Sequence, residues 1–373
     1  MQEWDTIVLG CGTMGAAAIY ELARAGQRVL GLDRFGPPHG FGSHHGHVRM
    51  FRMSYYEDPA YVPWLRRSLG AWRRMGEEFG APLIETCGAL YMGRPESELI
   101  TGCLRAIEAH GLEHERLEHA ALRARFPVFD VPRGYVGLLE KDAGLIHCEL
   151  AVEAMLALGA RAGAELRSHD AVLGWVSDGQ RVVVKTESGE STAGSLVVCA
   201  GAWAGQLLKG VGVRLEVTRQ VQGWVSAPAA LSTLPCWAID DGNGALFYGF
   251  PATRSQDGWE VKLARHARGT PVASADEVEH GALAGDAEDF MLWVRRFVPS
   301  LAGGAVRTGV CLYTNSPDKH YVVDRHPTYR NLAFAAGFSG HGFKAAPAVG
   351  EILSALVRGE AHPEPFFSLK RTC

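Results

Sequence analysis

A strand, a glycine-rich turn, a helix and a second strand follow one another at the start of the chain. Apolar residues 6–9 predict the first strand, and residues 10–15 read Gly-Cys-Gly-Thr-Met-Gly. An alanine-rich helix is predicted over 16–25, and a second strand over 29–32 ends at the acidic residue Asp33. This order is that of a Rossmann unit, which binds a dinucleotide. The pattern therefore predicts an α/β domain with a dinucleotide site, and it leaves NAD and FAD open.

Each glycine of the turn has its own physical task. Gly10 permits a tight turn, Gly12 lets the backbone approach a pyrophosphate, and Gly15 lets the helix pack closely on the strand. The helix N-terminus offers free N–H groups and the positive end of its dipole to phosphates, and Asp33 accepts hydrogen bonds from ribose hydroxyls. The residues of this unit that are expected to contact the cofactor are Gly10, Gly12, Thr13, Met14, Gly15, Asp33 and Arg34.

Charge and composition narrow the choice of partner and location. Lysine and arginine total 37 against 41 acidic residues, a formal net charge of −4. Nucleic-acid-binding domains usually carry a basic excess, so we do not expect nucleic acid to be a partner. No apolar run is long enough for a membrane span and the N-terminus has no signal-peptide pattern, so we expect a cytoplasmic protein without membrane contact. The eight cysteines form no CxxC pair, which argues against a metal site and favours reduced thiols.

The remaining predicted elements indicate that the chain leaves the N-terminal domain and returns to it near its end. The stretch 37–56 is rich in His and Arg and is predicted not to be a core element, whereas 61–80 is predicted to be an amphipathic helix. Further strands are predicted over 181–185, 195–199, 245–250, 260–263, 319–324 and 332–336. The glycine-rich loop 337–343 then enters a closing helix over 346–357, which makes this loop a second candidate for cofactor contact.

Four separated blocks give the sequence a specific family resemblance. The chain resembles the monomeric sarcosine oxidase and N-methyltryptophan oxidase family of flavoproteins, and the blocks span nearly its whole length. The blocks are 10–15, Gly42-Ser43-His44-His45-Gly46 with Arg49 and Arg52, 309–314 with Pro317-Asp318, and 337–344.

The resemblance implies an α/β (α+β mixed) fold of two discontinuous domains. A Rossmann-type FAD-binding domain would be assembled from 1–85, 145–215 and 320–373. A second domain, built on a large mixed β-sheet over the flavin, would be assembled from 86–144 and 216–319. The family likeness also favours a monomer.

A covalent link between Cys311 and FAD is the most specific implication of the resemblance. The matching cysteine of the family is joined through its sulfur to the 8α carbon of the flavin ring. Such a link needs a thiolate, which a nearby positive charge favours, and Arg49 is the matching cation. Without the resemblance, Cys311 is more readily interpreted as a buried thiol beside a strand.

The resemblance also assigns cations to the substrate and to oxygen. Arg52 and Lys344 match the pair that binds the substrate carboxylate, for which a guanidinium offers a bidentate fork. Lys262 matches the lysine that promotes reaction with dioxygen, where a protonated amine would stabilise developing negative charge. His266 matches a histidine near the same site. Taken singly, each lysine and arginine is also compatible with a solvent-exposed charge.

The remaining implied contacts line the substrate pocket and the flavin. Tyr248 and His45 resemble pocket residues, although a core aromatic and a structural histidine are the ordinary alternatives. Gly340 would let the backbone approach the flavin or the substrate. The implied catalytic set is His45, Arg49, Tyr248, Lys262 and His266. The further implied cofactor contacts are Ser43, His44, Arg49, Cys311, Tyr313, Gly340, Gly342, Phe343 and Lys344.

The implied reaction is the oxidation of a C–N bond in a secondary amino acid such as sarcosine, another N-methyl amino acid or a cyclic amino acid. FAD and dioxygen would convert it to an imine, which water hydrolyses to an aldehyde, and to hydrogen peroxide. The alternatives are a noncovalent D-amino-acid or glycine oxidase, an amine dehydrogenase with another electron acceptor, and a flavin-binding sensor or complex subunit. An NAD-dependent dehydrogenase is permitted by the first motif alone. The sequence does not select the natural amine.

Overall fold

The strands of the chain form three sheets. The computed structural model describes residues 3–372. In chain order the strands are β1 (Glu3–Leu9), β2 (Val29–Leu32), β3 (Val48–Phe51), β4 (Ile84–Glu85), β5 (Ala89–Gly93), β6 (His114–Leu117), β7 (Val136–Glu140), β8 (Gly144–His147), β9 (Glu165–Arg167), β10 (Val172–Ser177), β11 (Val182–Thr186), β12 (Glu190–Val198), β13 (Glu216–Ser226), β14 (Cys236–Asp240), β15 (Leu246–Gly249), β16 (Thr253–Ser255), β17 (Gly258–His266), β18 (Thr270–Pro271), β19 (Val306–Asn315), β20 (Val322–Arg325) and β21 (Leu332–Ala336).

Helices connect these strands and cover the sheets. The α-helices are α1 (Thr13–Arg24), α2 (Val62–Phe79), α3 (Glu98–His110), α4 (His119–Arg125), α5 (Cys148–Arg161), α6 (Ala204–Leu207), α7 (Asp286–Phe297) and α8 (Ala346–Val357). The helices predicted over 16–25, 61–80 and 346–357 are confirmed as α1, α2 and α8. Their apolar periodicity was a sufficient local signal.

The first sheet has eight strands and a parallel centre in the order β9-β2-β1-β12-β21. β10, β11 and β20 add antiparallel strands at its margins. The central strand β1 is buried on both faces: Val8 packs with residues of α1, α5 and α8, while Ile7 and Leu9 join a second apolar cluster. Burial on both faces is typical of parallel sheets and explains the unbroken apolar run of β1.

The second sheet has ten strands and is mixed. Its main order is β18-β13-β17-β15-β14-β5-β7-β6, with β19 beside β13 and β16 beside β17. The β14–β5 pair is parallel and the other pairs are antiparallel. Phe290, Trp293 and Phe297 of α7 pack with Phe247 and Leu263 of the sheet in one apolar core. The predicted combination of a Rossmann-type unit with a large mixed sheet is confirmed.

The stretch 37–56 corrects one prediction. Instead of lying outside the core, it contains β3, which pairs with β8 in a three-stranded sheet completed by β4. Phe51 and Tyr55 are fully buried. The polar composition misled the prediction because several polar residues of this stretch, among them His44, Arg52 and Ser54, are themselves buried. A polar sequence is compatible with burial where internal partners are available.

The strands of the first sheet all come from 1–85, 145–215 and 320–373, and those of the second sheet from 86–144 and 216–319. On this basis we propose the two-domain division that the sequence suggested. Within residues 3–372, no helix is long and apolar enough to cross a membrane.

Candidate active site

A cavity of about 390 Å³ opens at the carboxyl ends of the parallel strands. It is lined by the turn after β1, the end of β2, the loop 42–44, the segment 199–203 after β12, and the segment 335–340 at the end of β21. We call it the dinucleotide cavity. In open α/β sheets, ligands bind at this edge, because the loops and helix N-termini converge there.

Glycine is required at two positions of the first turn. Gly10 has φ +85°, which is the left-handed region. A Cβ on Gly15 would lie 1.7 Å from the carbonyl oxygen of Gly10, so the helix packs on the turn only without a side chain. Gly15 does not line the dinucleotide cavity. Its predicted role in packing therefore fits the structure, and its predicted cofactor contact stays a prediction.

The N-terminus of α1 faces the dinucleotide cavity without a side-chain cap. Gly12 is the N-cap residue and has no side chain that could cap the helix. Thr13 and Met14, the first residues of the helix, line the cavity. The first N–H groups of a helix lack intrahelical partners, and the dipole favours an anion beside them. This end of the cavity is therefore suited to phosphate.

Asp33 also lines this cavity, and the backbone holds its carboxylate in place. One carboxylate oxygen accepts from the N–H of Cys11 at 2.7 Å, and the other accepts from the N–H of Phe35 at 2.8 Å. Burial raises the pKa of Asp33, which these hydrogen bonds oppose. The neighbouring Arg34 lines the cavity but directs its guanidinium to Asp276, at 2.5 Å.

The structure brings most of the predicted cofactor contacts together. Those lining the dinucleotide cavity are Gly10, Gly12, Thr13, Met14, Asp33, Arg34, Ser43, His44, Arg49, Cys311, Tyr313, Gly340, Gly342 and Phe343. The predicted contact Lys344 lies instead in a neighbouring cavity of about 80 Å³, together with Arg52. We call this neighbour the cation cavity. The two cavities share the residues Arg49, Tyr313, Gly340 and Phe343.

Arg52 is buried in the cation cavity and already has an acidic partner. Its Nη2 lies 2.5 Å from Oε1 of Glu57. The guanidinium carbon lies 4.1 Å from the ring centre of Tyr55 and 4.8 Å from that of Tyr56. Burial would raise the pKa of Glu57, but the surrounding basic groups, Arg52 foremost, and the hydrogen bond from Arg52 together outweigh burial and lower this pKa to about 2. Glu57 therefore stays ionised beside Arg52.

Lys344 supplies the second buried cation. Its Nζ donates to the carbonyl of His341 at 2.8 Å and lies 5.2 Å from the ring centre of Tyr55. Burial and the nearby charge of Arg52 lower the pKa of Lys344 to about 7. Tyr55 thus presents its ring to both cations, and cation–π attraction offsets part of their mutual repulsion.

Tyr55 is itself held by a buried hydrogen-bond network. Its hydroxyl lies 2.6 Å from Nδ1 of His341 and 2.8 Å from the hydroxyl of Tyr321. The Tyr321 hydroxyl also donates to the carbonyl of His341. Burial lowers the pKa of His341 to about 3, so this imidazole is neutral. Sequence reasoning missed Glu57, Tyr55 and Tyr321, because no local motif marks them. Tyr55 meets Tyr321 and His341 only through the tertiary fold.

Cys311 lies beside the guanidinium of Arg49, as the sequence predicted. Nη2 of Arg49 is 3.7 Å from Sγ of Cys311, and Nη1 is 3.8 Å from Sγ of Cys148. Arg49 is fixed by donating to the carbonyl of Ser43, whose hydroxyl donates to the carbonyl of Leu312. A permanent charge therefore adjoins the Cys311 sulfur at the wall of the dinucleotide cavity.

Lys262 and His45 line neither cavity. Nζ of Lys262 donates to the carbonyl of Val48 at 2.8 Å and lies 5.8 Å and 5.5 Å from the ring centres of Trp224 and Phe250. Burial and the charge of Arg49 push the pKa of Lys262 well below its ordinary value. Burial, with Arg49 and Lys262, lowers the pKa of His45 to about 4. The predicted catalytic set is therefore divided between the cavity walls and a layer behind them.

The other predicted pocket residues line the cation cavity. Tyr248 and His266 are part of its wall, and Nδ1 of His266 lies 3.2 Å from the hydroxyl of Tyr313. Burial lowers the pKa of His266 to about 4. The imidazole of His266 is therefore neutral near pH 7 and adds no positive charge to the cation cavity.

No metal centre accompanies these cavities in the described part of the chain, since no group of three or more His, Cys, Asp or Glu side chains is arranged to hold an ion there.

The fold and the two cavities define an FAD dependent oxidoreductase: residues 5–356 match that family, and the chain belongs to it. Within the family it is similar to the monomeric sarcosine oxidase of Streptomyces avermitilis, with 39% identity over 99% of this chain and 97% of the relative. It is also 33% identical to the N-methyl-L-tryptophan oxidase of Salmonella enteritidis PT4, over 96% of this chain and 95% of that one. The solved structure of NikD, an unusual amino acid oxidase, superposes with a TM-score of 0.86, covering 99% of this chain and 98% of NikD at 23% identity. The predicted family is confirmed.

Proposed function

We propose that this protein is a flavin-dependent amine oxidase that acts on secondary amino acids. The reaction oxidises the C–N bond of sarcosine, another N-methyl amino acid or a cyclic amino acid. Dioxygen is the final electron acceptor, and the products are an imine, or the aldehyde after hydrolysis, and hydrogen peroxide. The names of the relatives support this substrate class.

One observation carries this proposal: two buried cations lie in a cavity that shares part of its wall with the dinucleotide cavity. Arg52 and Lys344 line a cavity that has Arg49, Tyr313 and Gly340 in common with the dinucleotide cavity. A carboxylate held by these two cations would place the rest of an amino acid at the junction of the two cavities. Oriented binding of this kind is a large part of what an active site contributes to rate.

The residues of the dinucleotide cavity fit FAD. The uncapped N-terminus of α1 suits the pyrophosphate, and the backbone-held Asp33 suits a ribose. Held by these residues, FAD would supply the two-electron acceptor for oxidation of the C–N bond, with dioxygen as the final acceptor. The protein residues bind and orient the substrate, exclude water and hold protons.

We propose that Cys311 holds FAD covalently. The sulfur of Cys311 lies 3.7 Å from the Arg49 guanidinium, and Cys311 lines the cavity. Acid precipitation of the purified protein tests this, with Cys311→Ser as the variant and Cys199→Ser as the control. Flavin colour should stay in the pellet for the wild type and the control and should appear in the supernatant for Cys311→Ser. Release from the wild type would favour a noncovalent amino-acid oxidase.

We propose that Lys262 serves the reaction with oxygen from behind the cavity wall. Its depressed pKa makes its ammonium a stronger acid than that of an ordinary lysine. Such a group can donate a proton to reduced oxygen and can stabilise negative charge on it. His45 shares this buried region, and Tyr248 and His266 shape the cation cavity that receives the amine.

Anaerobic mixing with a panel of N-methyl and cyclic amino acids tests the function. Bleaching of the flavin absorbance by any of them, followed by stoichiometric peroxide when air is admitted, is the expected result. Bleaching that only an added electron carrier reverses would indicate an amine dehydrogenase. No bleaching by the whole panel would contradict the proposal and leave a flavin-binding sensor or complex subunit.

We further propose that the protein is a monomer. This proposal is supported by one relative, whose name includes the word monomeric. Light scattering coupled to size-exclusion chromatography should give the mass of one 40.3 kDa chain plus its cofactor. A cytoplasmic location stays a prediction.

A further inference from the structure

Two thiols, those of Cys87 and Cys236, lie side by side outside both cavities. Their sulfur atoms are 3.8 Å apart, and a disulfide bond requires them to approach to roughly 2 Å. Cys87 precedes β5, and Cys236 begins β14, the strand paired with β5. The N–H of Cys236 donates to the carbonyl of Gly88 at 3.0 Å. The backbone therefore keeps the two sulfurs adjacent.

The two thiols differ in access and in acidity. Cys87 is partly exposed, whereas the cysteines at the other six positions within residues 3–372 are buried. A hydrogen bond from Cys236 lowers the pKa of Cys87, and burial raises the pKa of Cys236 well above its ordinary value. Solvent oxidants therefore reach Cys87 first, and its thiol ionises more readily to the nucleophilic thiolate.

We propose that Cys87 and Cys236 are a peroxide-responsive thiol pair. The inference rests on the proposed function in one respect, since hydrogen peroxide is the oxidant and the proposed reaction releases it beside this protein. Cys87 is the residue that peroxide oxidises, and Cys236 is the residue that resolves the product into a disulfide.

The chemistry balances with one peroxide per pair. The Cys87 thiolate attacks one oxygen of hydrogen peroxide, the O–O bond breaks, and the departing hydroxide leaves as water after taking a proton. The sulfur of Cys236 then attacks the sulfenic sulfur of Cys87, the S–O bond breaks, and a second water leaves with the Cys236 proton. Two thiols lose two electrons and two hydrogens, and one hydrogen peroxide becomes two waters.

The disulfide would join two strands that form one wall of the cation cavity. Ala238 of β14 is the register partner of Tyr91 in β5, and both residues line that cavity. A covalent bond just before these residues would hold the two strands together. It would also stop oxidation of Cys87 at a reversible stage, before the irreversible sulfinic acid.

The deciding experiment adds hydrogen peroxide to the holoenzyme in the absence of any amine. Free thiols are then alkylated, and the protein is digested without reductant for mass spectrometry. The expected result is one cross-linked peptide pair containing Cys87 and Cys236, lighter by two hydrogens and split again by dithiothreitol. Oxidation of Cys87 to sulfinic acid without a cross-link, or oxidation of a different cysteine while Cys87 stays a thiol, would overturn the proposal.

Two single variants separate the roles of the thiols. In Cys236→Ser, peroxide should leave a sulfenic acid at Cys87 that dimedone traps. In Cys87→Ser, Cys236 should remain an alkylatable thiol after the same treatment. Equal oxidation of Cys236 with and without Cys87 would contradict the assigned order.

A turnover arm separates this inference from the proposed function. The holoenzyme is incubated aerobically with the amine panel, with and without catalase. Cross-linking that catalase prevents supports both proposals. Cross-linking by added peroxide with none during incubation with any amine supports the thiol pair and counts against the proposed oxidase reaction.

Discussion

The guanidinium of Arg52 is paired with the carboxylate of Glu57 inside the cation cavity, with Nη2 2.5 Å from Oε1. The proposed carboxylate-binding residue therefore already holds a carboxylate that belongs to the protein. Nη1 of Arg52 and Oε2 of Glu57 are buried and have no hydrogen-bond partner within the described residues. A substrate carboxylate must share Arg52 with Glu57 or displace it.

Removal of the Glu57 charge should therefore strengthen substrate binding. In Glu57→Gln, we expect the Kd of a simple carboxylate such as propionate to fall roughly ten-fold, equivalent to about 1.4 kcal/mol. Titration of the flavin absorbance with propionate measures it, and the exposed Glu153→Gln on α5 serves as the control. Unchanged or weaker binding in Glu57→Gln would show that Glu57 does not compete with the ligand.

Carboxylate binding should depend on pH through the protonation of Lys344. Burial and the nearby charge of Arg52 lower the pKa of Lys344 to about 7. The ammonium form attracts the carboxylate, so affinity should be full below about pH 7 and should decline as pH rises through that value. Propionate stays ionised above about pH 6 and isolates this effect. Lys344→Arg should keep the affinity and lose the pH step. A step that persists in this variant would belong to another group.

Neutralising Lys344 should weaken substrate binding more than it slows any later step. A hydrogen bond to a charged group contributes about 1.5–3 kcal/mol. We therefore expect Lys344→Met to raise KM roughly ten-fold to a hundred-fold, measured by peroxide formation. The exposed Lys370→Met is the matched control. A large fall in kcat with unchanged KM would place Lys344 outside substrate binding.

Lys262→Met should separate the two halves of the reaction. Lys262 lies behind the cavity walls, so anaerobic bleaching of the flavin by the amine should be nearly unchanged. The rate of reoxidation by dioxygen should fall roughly a hundred-fold or more, because a preorganised charge is lost. Stopped-flow mixing of the reduced enzyme with oxygenated buffer measures this rate. Equal effects on both halves would instead indicate a general disturbance of the fold.

Gly15→Ala should damage the dinucleotide site through packing alone. The added Cβ would lie 1.7 Å from the carbonyl oxygen of Gly10. We expect the melting temperature to fall by at least about 5 °C, together with loss of flavin from the purified protein. Gly303→Ala is the control, because a Cβ there meets no atom within 4 Å. A normal melting temperature in Gly15→Ala would contradict the close packing of α1 on the turn.

Prediction from sequence succeeded where a local rule sufficed and failed where no periodic pattern or motif marks the residues. The helix predicted over 346–357 coincides with α8, and the strand predicted over 332–336 coincides with β21. By contrast, Arg52 was recognised without its partner Glu57, because a five-residue spacing in an irregular segment carries no periodic signal. The stretch 37–56 was misjudged because several of its polar residues, among them His44, Arg52 and Ser54, are buried in the fold.

The sequence by itself determined the glycine turn, the helix that follows it, and the acidic residue that ends β2. These features depend on backbone dihedral limits and on packing between neighbours in the chain. A short stretch of sequence is therefore enough to predict them. The tertiary structure alone decided that Arg52 and Lys344 face one aromatic ring, Tyr55. It also decided that Lys262 lies behind the cavities rather than within them. Burial and charge at these positions depend on groups brought from remote segments, and no local pattern encodes that proximity.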